Sequence, residues 1–455
     1  MVSLRLWFRH LSKCWSSYIE KKQEKPATTV KTGRLVTSAE LKTLTENYYR
    51  DLANAKEEGR PVVWITSVTP IEVVYAFEGI PFFPENYAAL CSSRKVASGF
   101  CEVAESAGYS QDLCAYALCM LGSLFAKPGR GVIGEEEPPE PDLLITTKSA
   151  CQTLSKWWEA LQRHFKCPLF TIDCVYPVDS ETLNTHYKEY YSEQLKELVA
   201  FMENYTGRKL DMAKFREVIS LSDRASQLWD EIDDLRKAVP TPMSQIDIFT
   251  CLFPLVTLRG TQEAASFYEK LRYEVKERVD QGIGFIPNER FRLIWDLFPI
   301  YHDIRITNYF AEFGAAFVTD LYGNSFSGRL DPADPFGSLA ERYLNYFSRA
   351  AFLGKSELYK ERARKYKVDG AVFHANRCCR YATAGQPDIG LILREELGLP
   401  YMIFEGNMVD PRGYDGMQVR TYIESFIEML EAQKYPDGSK RTHNEEQKQK
   451  KFNIK

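Results

Sequence analysis

The chain has 455 residues, 44% hydrophobic and 26% charged, with a formal net charge of −4. That length exceeds one ordinary core, so two or three domains are expected, and the slightly acidic balance excludes broad nucleic-acid binding. No apolar run approaches the roughly 20 residues needed to cross a bilayer, and eleven cysteines are too sparse for a disulfide scaffold.

In chain order, the opening MVSLRLWFRHLSKCW is basic and amphipathic. It lacks an apolar core and a small-residue cleavage site, so it reads as a docked helix rather than an export signal. A cytoplasmic, reducing location is expected, with the cysteines serving as buried apolar residues, metal ligands or reactive thiols. Short apolar runs follow at Val62–Ile65, Leu143–Thr146, Leu169–Ile172, Ala316–Val318, Gly370–Phe373 and Met402–Phe404. Each is bounded by polar or Gly/Pro punctuation, as buried parallel strands are. Helical patterns between them make βαβ units. The expected class is α/β, with two Rossmann-like doubly wound parallel-sheet domains joined by a helical region.

The expected division is an N-terminal helical segment over 1–58, a first α/β domain over 59–180, a helical connection over 181–289, a second α/β domain over 290–435 and a polar tail over 436–455. Ser180 is a plausible N-cap for the connection, which carries Leu195, Leu198, Phe201 and Met202 at helical spacing. The Pro-, Gly- and Glu-rich stretch 127–142 reads as an exposed loop.

Two glycine clusters fail as nucleotide sites. Gly354-Lys355-Ser356 ends like a phosphate loop, but Arg349 stands where the pattern needs glycine, and the segment reads as helix. Gly129-Arg130-Gly131 with Gly134 follows no strand and precedes glutamates that repel phosphate. ATP hydrolysis is therefore not expected of this chain. The absence of CxxC pairs and of paired histidines argues against structural zinc.

Three cysteines stand out by position. Cys114 opens a helical run, Cys151 follows the strand at 143–147, and Cys379 follows the strand at 370–374. Ligand sites of open α/β sheets lie past the carboxyl ends of strands, and a helix N-terminus favours a thiolate. Position alone leaves a shared site and ordinary burial both open.

Four segments resemble the 2-hydroxyacyl-CoA dehydratase and benzoyl-CoA reductase family: PVVWITSVTPIEVVYAFEGIPFFPENYAALC, Gly108 to Tyr116, Asp142 to Cys151, and DGAVFHANRCCRYATAGQPDIGLILREELGLPYMIFEGNMVDPRGYDG with the helix after it. The resemblance covers nearly everything after about residue 55. It implies a [4Fe–4S] cluster held by Cys114, Cys151 and Cys379, with adjacent Cys378 the rival for the third position. Three thiolates leave one iron open. The resemblance also places Ser67 and Glu85 in the substrate pocket, Glu85 as a proton donor or acceptor. His374 would donate to a cluster sulfur or to substrate, or be a satisfied core histidine. The other cysteines read as buried, with Cys91 and Cys101 the nearest exceptions. Arg377, Arg380 and Arg412 are candidates for CoA phosphates, although Arg412 after Asp410-Pro411 also suits a turn-pinning ion pair.

The same resemblance implies partners. These are a paralogous cluster-binding subunit, an ATP-hydrolysing iron–sulfur activator with ferredoxin as indirect electron donor, and an aromatic acyl-CoA substrate, with no nucleic acid or membrane. Dehydratases of the family use an electron to form a ketyl radical and expel hydroxyl, whereas reductases reduce the ring of benzoyl-CoA to a cyclic diene. Pro84-Glu85-Asn86-Tyr87 and CEVAESAGYSQDLCAY place the expectation with benzoyl-CoA reductase. The alternatives are a 2-hydroxyacyl-CoA dehydratase subunit and a non-catalytic electron-relay subunit.

Overall fold

The computed structural model describes residues 33–126, 138–148, 151–173, 185–350 and 352–436. The opening amphipathic segment, Ser180, the glycine cluster at 129–134 and the end of the tail lie outside the described residues. The first half runs α1 (Ser38–Asn54), β1 (Val62–Ile65), α2 (Ile71–Ala76), β2 (Ile80–Phe82), α3 (Pro84–Ser93), α4 (Ala97–Ser106), α5 (Ala115–Phe125), β3 (Leu143–Thr147), α6 (Gln152–Phe165) and β4 (Leu169–Ile172). Helices α7 (Thr185–Thr206), α8 (Met212–Leu235), α9 (Gln245–Cys251), α10 (Phe253–Thr257) and α11 (Gln262–Asp280) follow. The second half runs β5 (Phe291–Asp296), α12 (Ile306–Ala311), β6 (Ala315–Asp320), α13 (Pro335–Ala350), α14 (Phe352–Lys365), β7 (Gly370–Asn376), α15 (Arg380–Thr383), α16 (Gln386–Leu397), β8 (Tyr401–Gly406) and α17 (Gly416–Lys434).

Two four-stranded sheets result, ordered β2-β1-β3-β4 and β6-β5-β7-β8, with every pairing parallel. Both follow one winding, in which the chain steps outward on one side and returns to continue on the other. The expected α/β architecture of two Rossmann-like domains is what the chain adopts. In each sheet the order reverses beside the first strand, between β1 and β3 and between β5 and β7, and ligand crevices form at such switch points.

Successive strand residues point to opposite faces. On one face of the first sheet, Val63, Ile65 and Ile145 pack with Tyr191, Leu195, Phe215 and Tyr268 from the helical stretch and with Tyr343 and Leu344 of α13. On the other, Trp64 and Leu144 pack with Met120, Trp158 and Leu161. The stretch between the sheets therefore covers one face of the first sheet as well as linking the two. Asp211 caps α8 by accepting from the N–H groups of Ala213 and Lys214, and Ser244 with Asp247 forms a capping box on α9.

The halves interlock. Ser92 donates to the Val409 carbonyl at 2.7 Å, and Cys378, Met408 and Val409 enter the core around Trp64. Helices α4 and α5 approach so closely that a Cβ on Gly122 would fall 1.8 Å from the Phe100 carbonyl oxygen.

Candidate functional site

Each of the three singled-out cysteines is the residue immediately before a helix: Cys114 before α5, Cys151 before α6 and Cys379 before α15. Each sulfur lies toward its own helix's first turn, where the N–H groups of Ala117, of Leu154 and Thr153, and of Ala382 favour the thiolate. The first two helices belong to one half and the third to the other, yet the thiols converge. Burial pushes Cys114 well above the ordinary thiol range, and neighbouring Cys378, Cys379 and Cys151 raise it further. Cys379 is pushed up to about 12, first by burial and then by Cys378 and Cys151. Such thiols ionise only against a compensating positive charge, and a bound metal deprotonates a ligating thiol outright.

No three His, Cys, Asp or Glu side chains among the described residues close on a single ion. A lone tetrahedral zinc would draw its sulfurs to within about 4 Å of one another. A cluster of four irons occupies more space, and three mutually interacting thiols on separate helix ends are a donor set of that kind.

Cys378, 8% exposed, donates to Asn376 Oδ1 at 3.3 Å and packs with the first half's core. Cys379 is less buried and caps α15. Cys91 and Cys101 are fully buried, and Cys101 feels the charge of Cys378.

Glu85 lies in the first turn of α3, 8% exposed. Its Oε1 accepts from the Ser67 backbone N–H at 3.3 Å, and its Oε2 has no hydrogen-bond partner among the described residues. Burial raises its carboxyl to about 7, against the opposing pull of its own and Ser67's N–H groups. Its charge in turn acts on Cys151 and on Tyr301. Glu85 thus reaches the thiol group through Cys151, which caps the helix after β3.

Ser67, two residues past β1, lines a small niche with Val68, Arg259, Ser325, Phe326, Arg342 and Tyr343, whose volume of about 10 Å³ is roughly that of one water. His374 sits elsewhere. It is 2% exposed, stacks on Phe404 and is 3.2 Å by Nδ1 from the Phe298 carbonyl oxygen. Burial lowers it to about 4, so it is neutral at physiological pH. Its Nε2 is buried and has no hydrogen-bond partner among the described residues.

Gly354-Lys355-Ser356 lies inside α14. Lys355 is 7% exposed, lies 3.2 Å from Asp296 Oδ1 and donates to the Ala382 carbonyl of α15 at 3.0 Å. Arg412 donates to Asp410 at 2.9 Å and to Glu105 of the first half at 3.0 Å, the ion-pair alternative. Arg377 is exposed and lies 3.5 Å from Glu405, and Arg380 is exposed on α15.

Sequence reasoning missed the niche's Arg259, Arg342 and Tyr343, and the Lys355–Asp296 pair. One signal was present: Glu72 interrupts an apolar run from Pro70 to Phe77. A carboxylate there is 0% exposed, and such a group requires a buried cation.

A family model described as 2-hydroxyglutaryl-CoA dehydratase, D-component, matches residues 66–430. The chain is 31% identical to an (R)-2-hydroxyisocaproyl-CoA dehydratase alpha subunit of Clostridioides difficile over 389 residues, covering 85% of this chain and 94% of that one. It is 28% identical over 410 residues to a benzoyl-CoA reductase subunit of Thauera aromatica, covering 85% and 92%, and 27% identical to a lactoyl-CoA dehydratase alpha subunit of Anaerotignum propionicum, covering 84% and 94%. With residues 66–430 inside the family's match, the chain belongs to the 2-hydroxyglutaryl-CoA dehydratase D-component family.

Proposed function

We propose that this chain is the acyl-CoA-binding subunit of a hetero-oligomeric enzyme that removes water from a 2-hydroxyacyl-CoA, with a [4Fe–4S] cluster held by Cys114, Cys151 and Cys379. The carrying observation is the approach of these helix-capping thiols to one another, with Cys151 beside Glu85, a buried carboxyl raised to about 7. When bound, the cluster supplies low-potential one-electron chemistry, with one iron open for want of a fourth protein ligand.

The chain's own groups do the rest. Ser67, at the end of β1, orients the acyl group beside Glu85. Loss of water takes a proton from carbon and adds one to the departing hydroxyl. A carboxyl at about 7 serves as base and then as acid at little cost in either form. Burial of Glu85 and partial burial of the thiols limit the access of bulk water to the reacting atoms. Cys379 is the third ligand rather than Cys378, because Cys378 is committed to Asn376 and to core packing.

The alpha-subunit names of the relatives support an assembly with a paralogous subunit. The family resemblance supports a separate ATP-hydrolysing activator, fed by ferredoxin, in a reducing cytoplasm.

A second reading is benzoyl-CoA reduction, favoured by the similarity to a benzoyl-CoA reductase subunit and by the Pro84-Glu85-Asn86-Tyr87 context. Dehydration is supported by the similarity to three 2-hydroxyacyl-CoA dehydratase alpha subunits, of hydroxyisocaproyl-, lactoyl- and phenyllactyl-CoA. The test is anaerobic incubation of the assembled enzyme with activator, ATP and reductant. An enoyl-CoA from a 2-hydroxyacyl-CoA supports the proposal, a cyclic diene from benzoyl-CoA supports the second reading, and neither product indicates an electron-relay subunit.

A further inference from the structure

Asn376 is the last residue of β7 and is 1% exposed. Its Oδ1 accepts from the Met408 backbone N–H at 3.3 Å and from the Cys378 thiol at 3.3 Å. A backbone N–H can only donate, so oxygen faces Met408 and the amide nitrogen faces the other way. That nitrogen carries two N–H groups, is buried, and has no hydrogen-bond partner among the described residues. Buried donors left without an acceptor are costly and rare.

The carboxamide sits among the candidate ligands. The Asn376 carbonyl accepts from the Cys379 N–H at 2.9 Å, which closes the turn that carries both cysteines. Cys378, held on Oδ1, lies toward the Ala115 N–H in the first turn of α5, the helix that Cys114 caps, and Cys114 in turn feels Cys378, Cys379 and Cys151. Two nearby groups are no rivals as donors. Neutral His374, on the same face of β7, has its Nδ1 against the Phe298 carbonyl, so Nδ1 carries the proton and the buried Nε2 is an acceptor. Gln386 spends both N–H groups, on Asp296 Oδ2 and on the His374 carbonyl.

We propose that the Asn376 amide donates to a sulfur of the cluster held by Cys114, Cys151 and Cys379, and so sets its reduction potential. This rests on the cluster reading above. Sulfur carrying negative charge is the acceptor that those N–H groups lack, and hydrogen bonds to cluster sulfurs are one of a protein's levers on potential. An added electron makes the sulfur more negative, so the bond strengthens on reduction and raises the potential. Cys378 takes no part as a ligand, and its thiol, with Met408, fixes which way the amide points. The adjacent cysteines thus have separate duties, Cys379 as ligand and Cys378 as anchor of the donor.

The test is a dye-mediated reductive titration of the cluster-loaded chain without oxygen, read by electron paramagnetic resonance. Asn376→Leu should raise the oxidised-to-reduced ratio at a fixed potential about tenfold, a fall in reduction potential of about 59 mV for one electron. Asn376→Asp keeps acceptors for Met408 and Cys378 and should lower the potential further, since it adds negative charge. Bound iron should stay unchanged in both variants. The unsubstituted chain gives a reading that holds even where Asn376→Leu fails to fold. With a heavy-nitrogen label confined to asparagine side-chain amides, electron–nuclear double resonance of the reduced cluster should show a nitrogen coupling that Asn376→Asp loses. Absence of that coupling, or an unchanged potential in Asn376→Asp, overturns the inference and leaves the proposed function standing. Loss of acyl-CoA affinity at unchanged potential means that the amide faces substrate, and overturns it too. A chain that holds no iron and sulfide overturns both the inference and the proposed function.

Discussion

The Ser67 backbone N–H donates to Glu85 Oε1 at 3.3 Å, joining the end of β1 to the first turn of α3. This one bond holds the carboxyl beside the end of β1, and its second oxygen has no hydrogen-bond partner among the described residues. Replacing Glu85 by Gln keeps the shape and an acceptor for Ser67. Turnover of the assembled enzyme is expected to fall about 10²- to 10⁴-fold, with iron content unchanged. Intact turnover would remove Glu85 from proton transfer.

The same variant reports on pH. Folding raises the Glu85 carboxyl from 4.5 to about 7, so the fold prefers the neutral form. The penalty is absent below about pH 4.5, grows as pH rises toward 7 and is complete above it. Glu85→Gln is therefore expected to stabilise the chain by about 3 kcal/mol at pH 8 and by almost nothing at pH 4. Urea unfolding at the two pH values checks this, and a pH-independent difference would contradict it.

Cys378 and Cys379 are distinguished by separate substitution. Cys379→Ser is expected to lose bound iron. Cys378→Ser keeps it and loses about 1 kcal/mol of stability through disturbed packing around Met408 and Val409. Iron analysis and visible absorption of the two variants decide.

Arg412 ties the halves through Glu105 and Asp410, with its side chain 36% exposed. Arg412→Ala is expected to cost about 1 kcal/mol or less, shrinking at high salt, with CoA affinity unchanged. A large loss of CoA affinity would return Arg412 to a phosphate-binding role.

Gly122→Ala is expected to destabilise by about 3 kcal/mol or more, because the obstacle is the Phe100 backbone carbonyl rather than a side chain that can turn aside. Chemical denaturation measures it, and a near-neutral effect would mean that α4 and α5 slide apart freely.

Six strands were legible in the sequence because each is a compact apolar run between turn signals. β2 was not, being three residues with Pro81 at its centre and an edge position that tolerates proline. β5 was hidden by Arg292 and Asp296 within Phe291–Asp296. Both charges are buried, and Arg292 bonds the Tyr366 carbonyl at 2.8 Å while Asp296 pairs with Lys355, partners distant in sequence. The cysteines and Glu85 were legible through their motifs. Arg259 and Arg342 were not, since an isolated arginine in a helical pattern looks like a solvated face until the fold brings Glu72 to it.

The most direct measurement of the central claim is iron and acid-labile sulfide in the chain purified without oxygen, alone and as the Cys114→Ser, Cys151→Ser and Cys379→Ser variants. The expected result is about four irons and four sulfides per chain, lost in each variant. A chain without iron and sulfide, or variants that retain both, would contradict it.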